Sequence, residues 1–309
     1  MRILITGGAG YIGSVLLPRV LEKYQVRVLD NLTYGYDGII PYINHPNLEF
    51  INGDVRNITS IKNSLKGVDF VIHLAAIVGY PACKSKPQLA DEINYLATKK
   101  LVSHCNVPIL FTSTGSNYGH VKGICDEDTP LNPLTEYGQT KVKAEREIQK
   151  SSDFIIYRFS TGFGLSPRLR LDLLVNDFLF KAMKDKELIV FEKDYWRSFI
   201  HVKDMAESLM FALENYERMN QEIFNVGSED LCLTKVDVAQ RIKNHVDFYL
   251  KFADFNTDPD ERNYKVSFKK IRDLGFCIKH DLDFGIREMK KAFKVIEPRE
   301  CYYNNRVFK

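Results

Sequence analysis

Tyr137 and Lys141 stand four residues apart in Tyr137-Gly-Gln-Thr-Lys141, at the opening of a helical pattern. Positions i and i+4 share one face of a helix, so the phenol and the ammonium can lie side by side. A neighbouring positive charge favours phenolate and lowers the tyrosine pKa toward the range of a general base. The same spacing occurs at Tyr80/Lys84, Tyr95/Lys99 and Tyr118/Lys122. Pro81 argues against a helix at the first of these, and Tyr118 precedes Gly119 in an expected loop. Tyr95/Lys99 is helical but follows the fourth expected strand. Only Tyr137/Lys141 opens a helix after a long loop from a strand ending in hydroxyls, Phe111-Thr112-Ser113-Thr114.

A second constellation lies at the start of the chain. The apolar run Ile3-Leu4-Ile5 leads into Gly7-x-x-Gly10-x-x-Gly13, and a helical pattern follows. Glycines in that place let the backbone turn tightly and approach a pyrophosphate, whose charge then faces a helix N-terminus. Asp30 closes the next apolar run, twenty residues after Gly10. A carboxylate there accepts hydrogen bonds from an adenosine ribose and repels a 2′-phosphate, which points to NAD rather than NADP. No Lys-Ser/Thr pair follows Gly13, against a nucleoside-triphosphate loop. With a dinucleotide in place, Lys141 would also reach the nicotinamide ribose.

The elements that must position these groups alternate through the first half. Apolar runs at 2–6, 26–29, 48–51, 69–74, 108–112 and 154–158 are separated by helical patterns at about 11–23, 57–66, 88–105 and 134–150. That order predicts an α/β fold of Rossmann type, a doubly wound parallel sheet whose ligands lie at the carboxyl ends of its strands. The second half predicts helices near 171–184, 203–214, 235–246 (with Thr234 as N-cap), 267–274 and 283–294, and strands at 188–191, 198–202 and 222–226. The expected organisation is a dinucleotide-binding domain over 1–163, to which 199–226 returns, and a smaller C-terminal α/β substrate-binding domain over 164–309. No readable motif falls in the last ten residues.

Composition narrows the class. With 43 Lys and Arg against 40 Asp and Glu, interspersed, no nucleic-acid or membrane-binding patch stands out. The longest apolar stretch, 69–79, is broken by His73 and is too short to span a bilayer. No secretory leader pattern precedes the first strand, so a cytoplasmic location is expected. The six cysteines show no C-x-x-C spacing and the seven histidines no H-x-x-x-H spacing, so neither a metal site nor a disulfide is expected.

Taken together, the motifs resemble the extended short-chain dehydrogenase/reductase family that acts on nucleotide sugars, the NAD-dependent epimerases and dehydratases. The resemblance rests on Gly7-Gly8-Ala9-Gly10-Tyr11-Ile12-Gly13, Asp30-Asn31-Leu32, Gly53-Asp54-Val55-Arg56, His73-Leu74-Ala75-Ala76, Asn94, Thr114, Tyr137-x-x-x-Lys141 and Arg197-Ser-Phe-Ile-His-Val-Lys-Asp204. It implies that Tyr11, Ile12 and Asn31 belong to the NAD site, that Asp54 and Val55 flank the adenine, and that Leu74, Ala75 and Ala76 line the cofactor cleft. Asn94 would support that cleft from the neighbouring helix. Thr114 would hydrogen-bond the reacting sugar hydroxyl, Tyr137 would take its proton, and Lys141 would hold Tyr137 and the ribose. Arg197 and Arg262 match arginines that clamp a substrate diphosphate through paired donors. The resemblance also implies a homodimer or higher homo-oligomer, paired through helices 88–105 and 134–150.

Subclasses of the family differ just after the threonine. Dehydrating members carry Asp-Glu there, decarboxylating members a Glu, and those epimerising C3 and C5 a Cys; here the positions hold Gly115 and Ser116. The remaining set supports reversible hydride transfer at C4. The first expectation is therefore a nucleotide-sugar 4-epimerase. Net 4-dehydrogenation or 4-ketoreduction is the alternative, and an inactive NAD-binding scaffold the alternative of another class. Two departures bear on the sugar: Thr161 stands where epimerases often have Asn, and 166–178 resembles a branch that includes a GDP-heptose 4-dehydrogenase. Asn176 in that segment is a candidate sugar or base contact.

Overall fold

The computed structural model describes residues 1–253 and 263–304. Seven strands, Arg2–Thr6, Gln25–Asp30, Leu48–Asn52, Phe70–His73, Ile109–Thr114, Phe154–Phe159 and Glu222–Val226, form one parallel sheet. Counted in chain order, they lie across it as 7-6-5-4-1-2-3. The chain winds outward from the first strand in one direction and resumes on its other side with the fourth. The switch point falls between strands one and four, where a crevice opens at the carboxyl ends.

The central strands are buried along nearly their whole length because both faces are covered. Ile3 and Ile5 point into a core completed by helices Gly13–Leu21 and Val202–Glu214, while Leu4 between them points into a second core beneath helices Ala97–Val102 and Glu136–Ile148. The two-residue alternation of a strand thus feeds two layers. A third apolar cluster joins helices Leu174–Lys184, Lys235–Lys243 and Leu282–Ala292 in the second half. Between the halves, Thr161–Phe163, Trp196–His201 and Cys232–Thr234 make a three-stranded sheet. Because Val202–Glu214 and the seventh strand pack with the first half, we propose that residues 199–226 return to the dinucleotide-binding unit otherwise formed by 1–163.

The structure departs from the sequence reading in three places. Tyr80–Ser85 is a helix despite Pro81, because proline in a first turn has no hydrogen bond to break. The single helix expected over 88–105 is divided into Pro87–Ala90, a wide π-type turn at Asp91–Leu96, and Ala97–Val102. The three-residue strands Thr161–Phe163 and Cys232–Thr234 have no counterpart in the sequence reading, and neither do His120–Cys125, Tyr249–Ala253 and Asn263–Val266. His120–Cys125 is exposed over most of its length, and Tyr249–Ala253 and Asn263–Val266 run only five and four residues, too short for their alternation to reveal a strand.

Candidate active site

A cavity of about 900 Å³ opens at the switch point. It is lined by Gly7, Gly10, Tyr11, Ile12, Gly13, Asp30, Asn31, Asp54, Val55, Leu74, Ala75, Ala76, Thr114, Tyr137, Lys141 and Arg197. Residues from five separate strand ends therefore meet in one space. Asn94 and Asn176 are not on its wall, and Arg262 lies outside the described residues.

The turn after the first strand exists only with glycine. Gly7 has φ +72°, and a Cβ there would sit 2.7 Å from the Ala75 nitrogen. A Cβ on Gly13 would sit 2.5 Å from the Gly8 carbonyl oxygen. The bare backbone lets the turn nest against the 74–76 loop while the helix N-terminus faces the cavity, a fit for a dinucleotide pyrophosphate. The Asp30 carboxylate accepts from the Ala9 N–H at 3.0 Å and the Leu32 N–H at 2.8 Å, which fixes its orientation. Burial raises its pKa, opposed by those amides and by the Arg168 charge. Asn31 donates to Asp54 at 3.2 Å, and Arg56 holds the same carboxylate and lowers its pKa. Asp30→Ser is expected to weaken NAD roughly ten- to a hundredfold, the loss of a charge-assisted hydrogen bond, and to weaken NADP less. Cofactor titration by fluorescence measures both.

A buried relay shapes the loop between strand four and the cavity. The Ala75 N–H reaches Thr6 Oγ1 at 3.3 Å, and Thr6 Oγ1 lies 2.6 Å from His73 Nδ1. His73 Nε2 lies 2.9 Å from Thr98 Oγ1, which donates to the Asn94 carbonyl. The imidazole is neutral, since burial and the nearby Lys141 charge push its pKa down to about 3. Asn94 uses its side-chain amide on both backbone groups of Ile77 and on Thr140. Its place is behind the cleft wall, off the cavity surface.

Thr135 caps the helix Glu136–Ile148 by accepting from the Gly138 N–H, and this puts Tyr137 in its first turn. Lys141, one turn on, is 2% exposed and its Nζ lies 4.0 Å from the centre of the Phe111 ring. Burial pushes its pKa down to about 7, against the opposing pull of Glu145 and Cys83. Between pH 7 and the ordinary lysine range the unfolded chain therefore binds a proton that the folded one does not, and stability rises with pH. Lys141→Met is expected to abolish that rise in urea unfolding curves compared at pH 7 and pH 9.5. Thr114 closes strand five, its hydroxyl 3.0 Å from Ser116 Oγ and accepting from the Ser116 N–H.

Several residues on or under the site escaped the sequence reading. Arg168, Arg170, Lys235, Ser160, Tyr34 and Asn304 all line the cavity. Arg170 is paired with Asp172 at 2.8 Å. The two arginines alternate with leucines in Pro167-Arg-Leu-Arg-Leu-Asp172, a pattern that could have marked them as buried cations. Glu145 continues the Tyr137/Lys141 face by one more turn and binds Ser113, Asn117 and Arg158. Asn176, expected to contact the sugar or base, is instead committed to backbone: it accepts from the Gly164 N–H and donates to the Gly164 and Arg170 carbonyls. Its amide holds the 164–170 segment.

A doubly wound sheet with this glycine turn, an acid after strand two and a hydroxyl–phenol–ammonium set after strand five defines a dinucleotide-dependent redox fold. Residues 3–227 match the NAD dependent epimerase/dehydratase family, and the chain belongs to that family. It is 30% identical, over 94% of its length and 98% of the relative's, to a putative UDP-glucose 4-epimerase of Methanocaldococcus jannaschii. It is 30% identical, over 96% of its length and 89% of the relative's, to UDP-glucuronic acid decarboxylase 6 of Arabidopsis thaliana. Among solved structures, a Bacillus cereus UDP-glucuronic acid 4-epimerase in complex with UDP-glucuronic acid and NAD aligns with a TM-score of 0.86 at 26% identity, over 95% of this chain and 99% of that one. NAD is the cofactor of this family. Among the described residues no helix is long and apolar enough to cross a membrane.

Proposed function

We propose that the protein is an NAD-dependent nucleotide-sugar 4-epimerase that works by reversible hydride transfer at sugar C4. One observation carries the reading: Thr114, Tyr137 and Lys141 open into the same cavity as the glycine turn, while Gly115 and Ser116 bring no acid to it. Bound NAD supplies the hydride acceptor. Thr114 would orient the C4 hydroxyl and Tyr137 would take its proton as the C4 hydrogen leaves, giving a 4-keto sugar. Lys141 would favour the phenolate, and Arg197 would hold the substrate diphosphate. Return of hydride to the opposite face of the ketone, with Tyr137 giving back the proton, completes epimerisation with no net redox change. Dehydration and decarboxylation each need a further acid to move a second proton, and the residues after Thr114 supply none.

Net 4-dehydrogenation or ketoreduction is the second reading, and its support is the likeness of 166–178 to the branch that includes a GDP-heptose 4-dehydrogenase. We further propose that the protein pairs as a homodimer through the helical segments 88–105 and 134–150; Leu96 on the first of them is exposed. The test screens UDP-, GDP-, CDP- and dTDP-sugars with NMR detection of product and a record of the bound cofactor's redox state. A C4 epimer formed with no change in the NAD pool supports epimerisation. A requirement for external NAD and accumulation of ketone overturns it in favour of net oxidation.

A further inference from the structure

The chain's last described segment crosses the mouth of the cofactor end. Arg299 reaches Asp37 at 2.6 Å on one side, and the Tyr302 carbonyl accepts from the Leu171 N–H at 2.8 Å on the other. Asn304, 1% exposed and on the cavity wall, spans the gap with its side chain. Its Oδ1 accepts from Arg168 at 2.5 Å, and its Nδ2 donates to the Val78 carbonyl at 3.2 Å, in the loop after strand four. The Cys301 carbonyl accepts from the same guanidinium at 3.1 Å.

Arg168 is the group this segment holds. It is 3% exposed and lines the cavity, with its guanidinium 4.1 Å from the centre of the Tyr34 ring. The segment that carries it is docked on the glycine turn: Ser166 donates to the Tyr11 carbonyl at 2.7 Å, and Tyr11 donates to the Gly164 carbonyl at 2.8 Å. Among the described residues its Nε has no hydrogen-bond partner and no carboxylate forms an ion pair with it, whereas Arg170 nearby has Asp172. With no carboxylate in contact, the desolvation of this guanidinium is offset only by the more distant charges of Asp172 and Asp30. In keeping with this, burial lowers its pKa to about 10. The same cavity is lined by Gly10, Tyr11, Gly13 and Asp30, the glycine turn and acid expected to hold the dinucleotide, and by Tyr34.

We propose that Arg168 is a clamp on the phosphate or ribose oxygens of the dinucleotide, positioned by Asn304 and the Cys301 carbonyl, and that this clamp keeps the cofactor from exchanging between turnovers. The inference rests on NAD binding and not on the sugar chemistry. A retained cofactor suits a reaction that returns its hydride to the same substrate. A freely exchanging one suits net oxidation.

The experiment measures NAD content after gel filtration and the NAD dissociation rate by displacement with isotopically labelled NAD. It compares the parent with Arg168→Gln, Arg168→Lys and Asn304→Ala, each checked for thermal unfolding. Arg168→Gln is expected to speed dissociation about ten- to a hundredfold, the loss of a charge-assisted hydrogen bond. Asn304→Ala should shift it in the same direction by less, and it carries the test alone if the Arg168 variants do not fold. Unchanged dissociation in Asn304→Ala and in every Arg168 variant that folds overturns the proposal. So does an unchanged NAD dissociation rate accompanied by a raised KM for nucleotide sugar, which would give the guanidinium to the substrate diphosphate instead.

Discussion

Tyr137→Phe is expected to lower kcat by roughly 10²–10⁴-fold, the usual contribution of a positioned general base, while leaving NAD affinity within a few-fold of the parent. The phenol adds one oxygen to a ring that phenylalanine retains, so the wall of the cavity keeps its shape. Tyr137 sits in the first turn of a helix capped by Thr135, with Lys141 one turn along the same face. The proton it would take from the C4 hydroxyl has no other proposed acceptor, since Gly115 and Ser116 provide none. Single-turnover reduction of bound NAD by the true substrate, followed at 340 nm, reads the step directly. Undiminished reduction in the variant would overturn the assignment and favour the reading of the chain as a NAD-binding scaffold.

Arg158→Met is expected to destabilise the protein by about 3–5 kcal/mol, the cost of breaking a buried ion pair by removing one partner. Arg158 and Glu145 are both almost fully buried and meet at 2.9 Å. The guanidinium also donates to the Tyr118 hydroxyl at 3.1 Å and the Glu127 carbonyl at 3.0 Å, and Glu145 accepts from Ser113 and from Asn117. Removing the cation leaves a buried carboxylate with only neutral hydrogen-bond donors and the more distant Lys141 charge. Urea unfolding at pH 7 measures the loss. The double variant Arg158→Met/Glu145→Leu should recover part of it, because the isolated charge is gone. The network also ties strand five, one residue before Thr114, to the helix of Tyr137 and Lys141. The single variant is therefore expected to lower kcat as well as stability.

The parallel sheet was legible because its central strands are buried on both faces, and apolar runs alternating with amphipathic helices have few other solutions. The glycine turn and Asp30 were legible for a local reason: bare backbone and an acid at fixed spacing serve a pyrophosphate and a ribose within one strand–helix–strand unit. Tyr137/Lys141 was half legible. Its spacing recurs three times in the chain, and Pro81 does not exclude Tyr80/Lys84, since Tyr80–Ser85 is helical and both residues reach the cavity wall. What separates the pairs is that Lys141 is buried against Phe111, whereas Lys84 is exposed and bonded to Tyr80 at 2.8 Å.

Long-range pairings had no local signal. The sequence suggests Asn176 as a ligand contact, but its partners Gly164 and Arg170 become neighbours only when the 164–170 segment folds back over its helix. Arg168 and Asn304, 136 residues apart, meet through a C-terminal segment with no motif of its own. By itself the sequence determined the layered sheet, the dinucleotide turn and the residue types able to move a proton, because each is specified within one helix or one strand–turn–helix. Only the tertiary structure decided which of several cations and amides face the cavity and which are committed to holding it. Burial, and the partners it imposes, depends on chain segments far apart in the sequence.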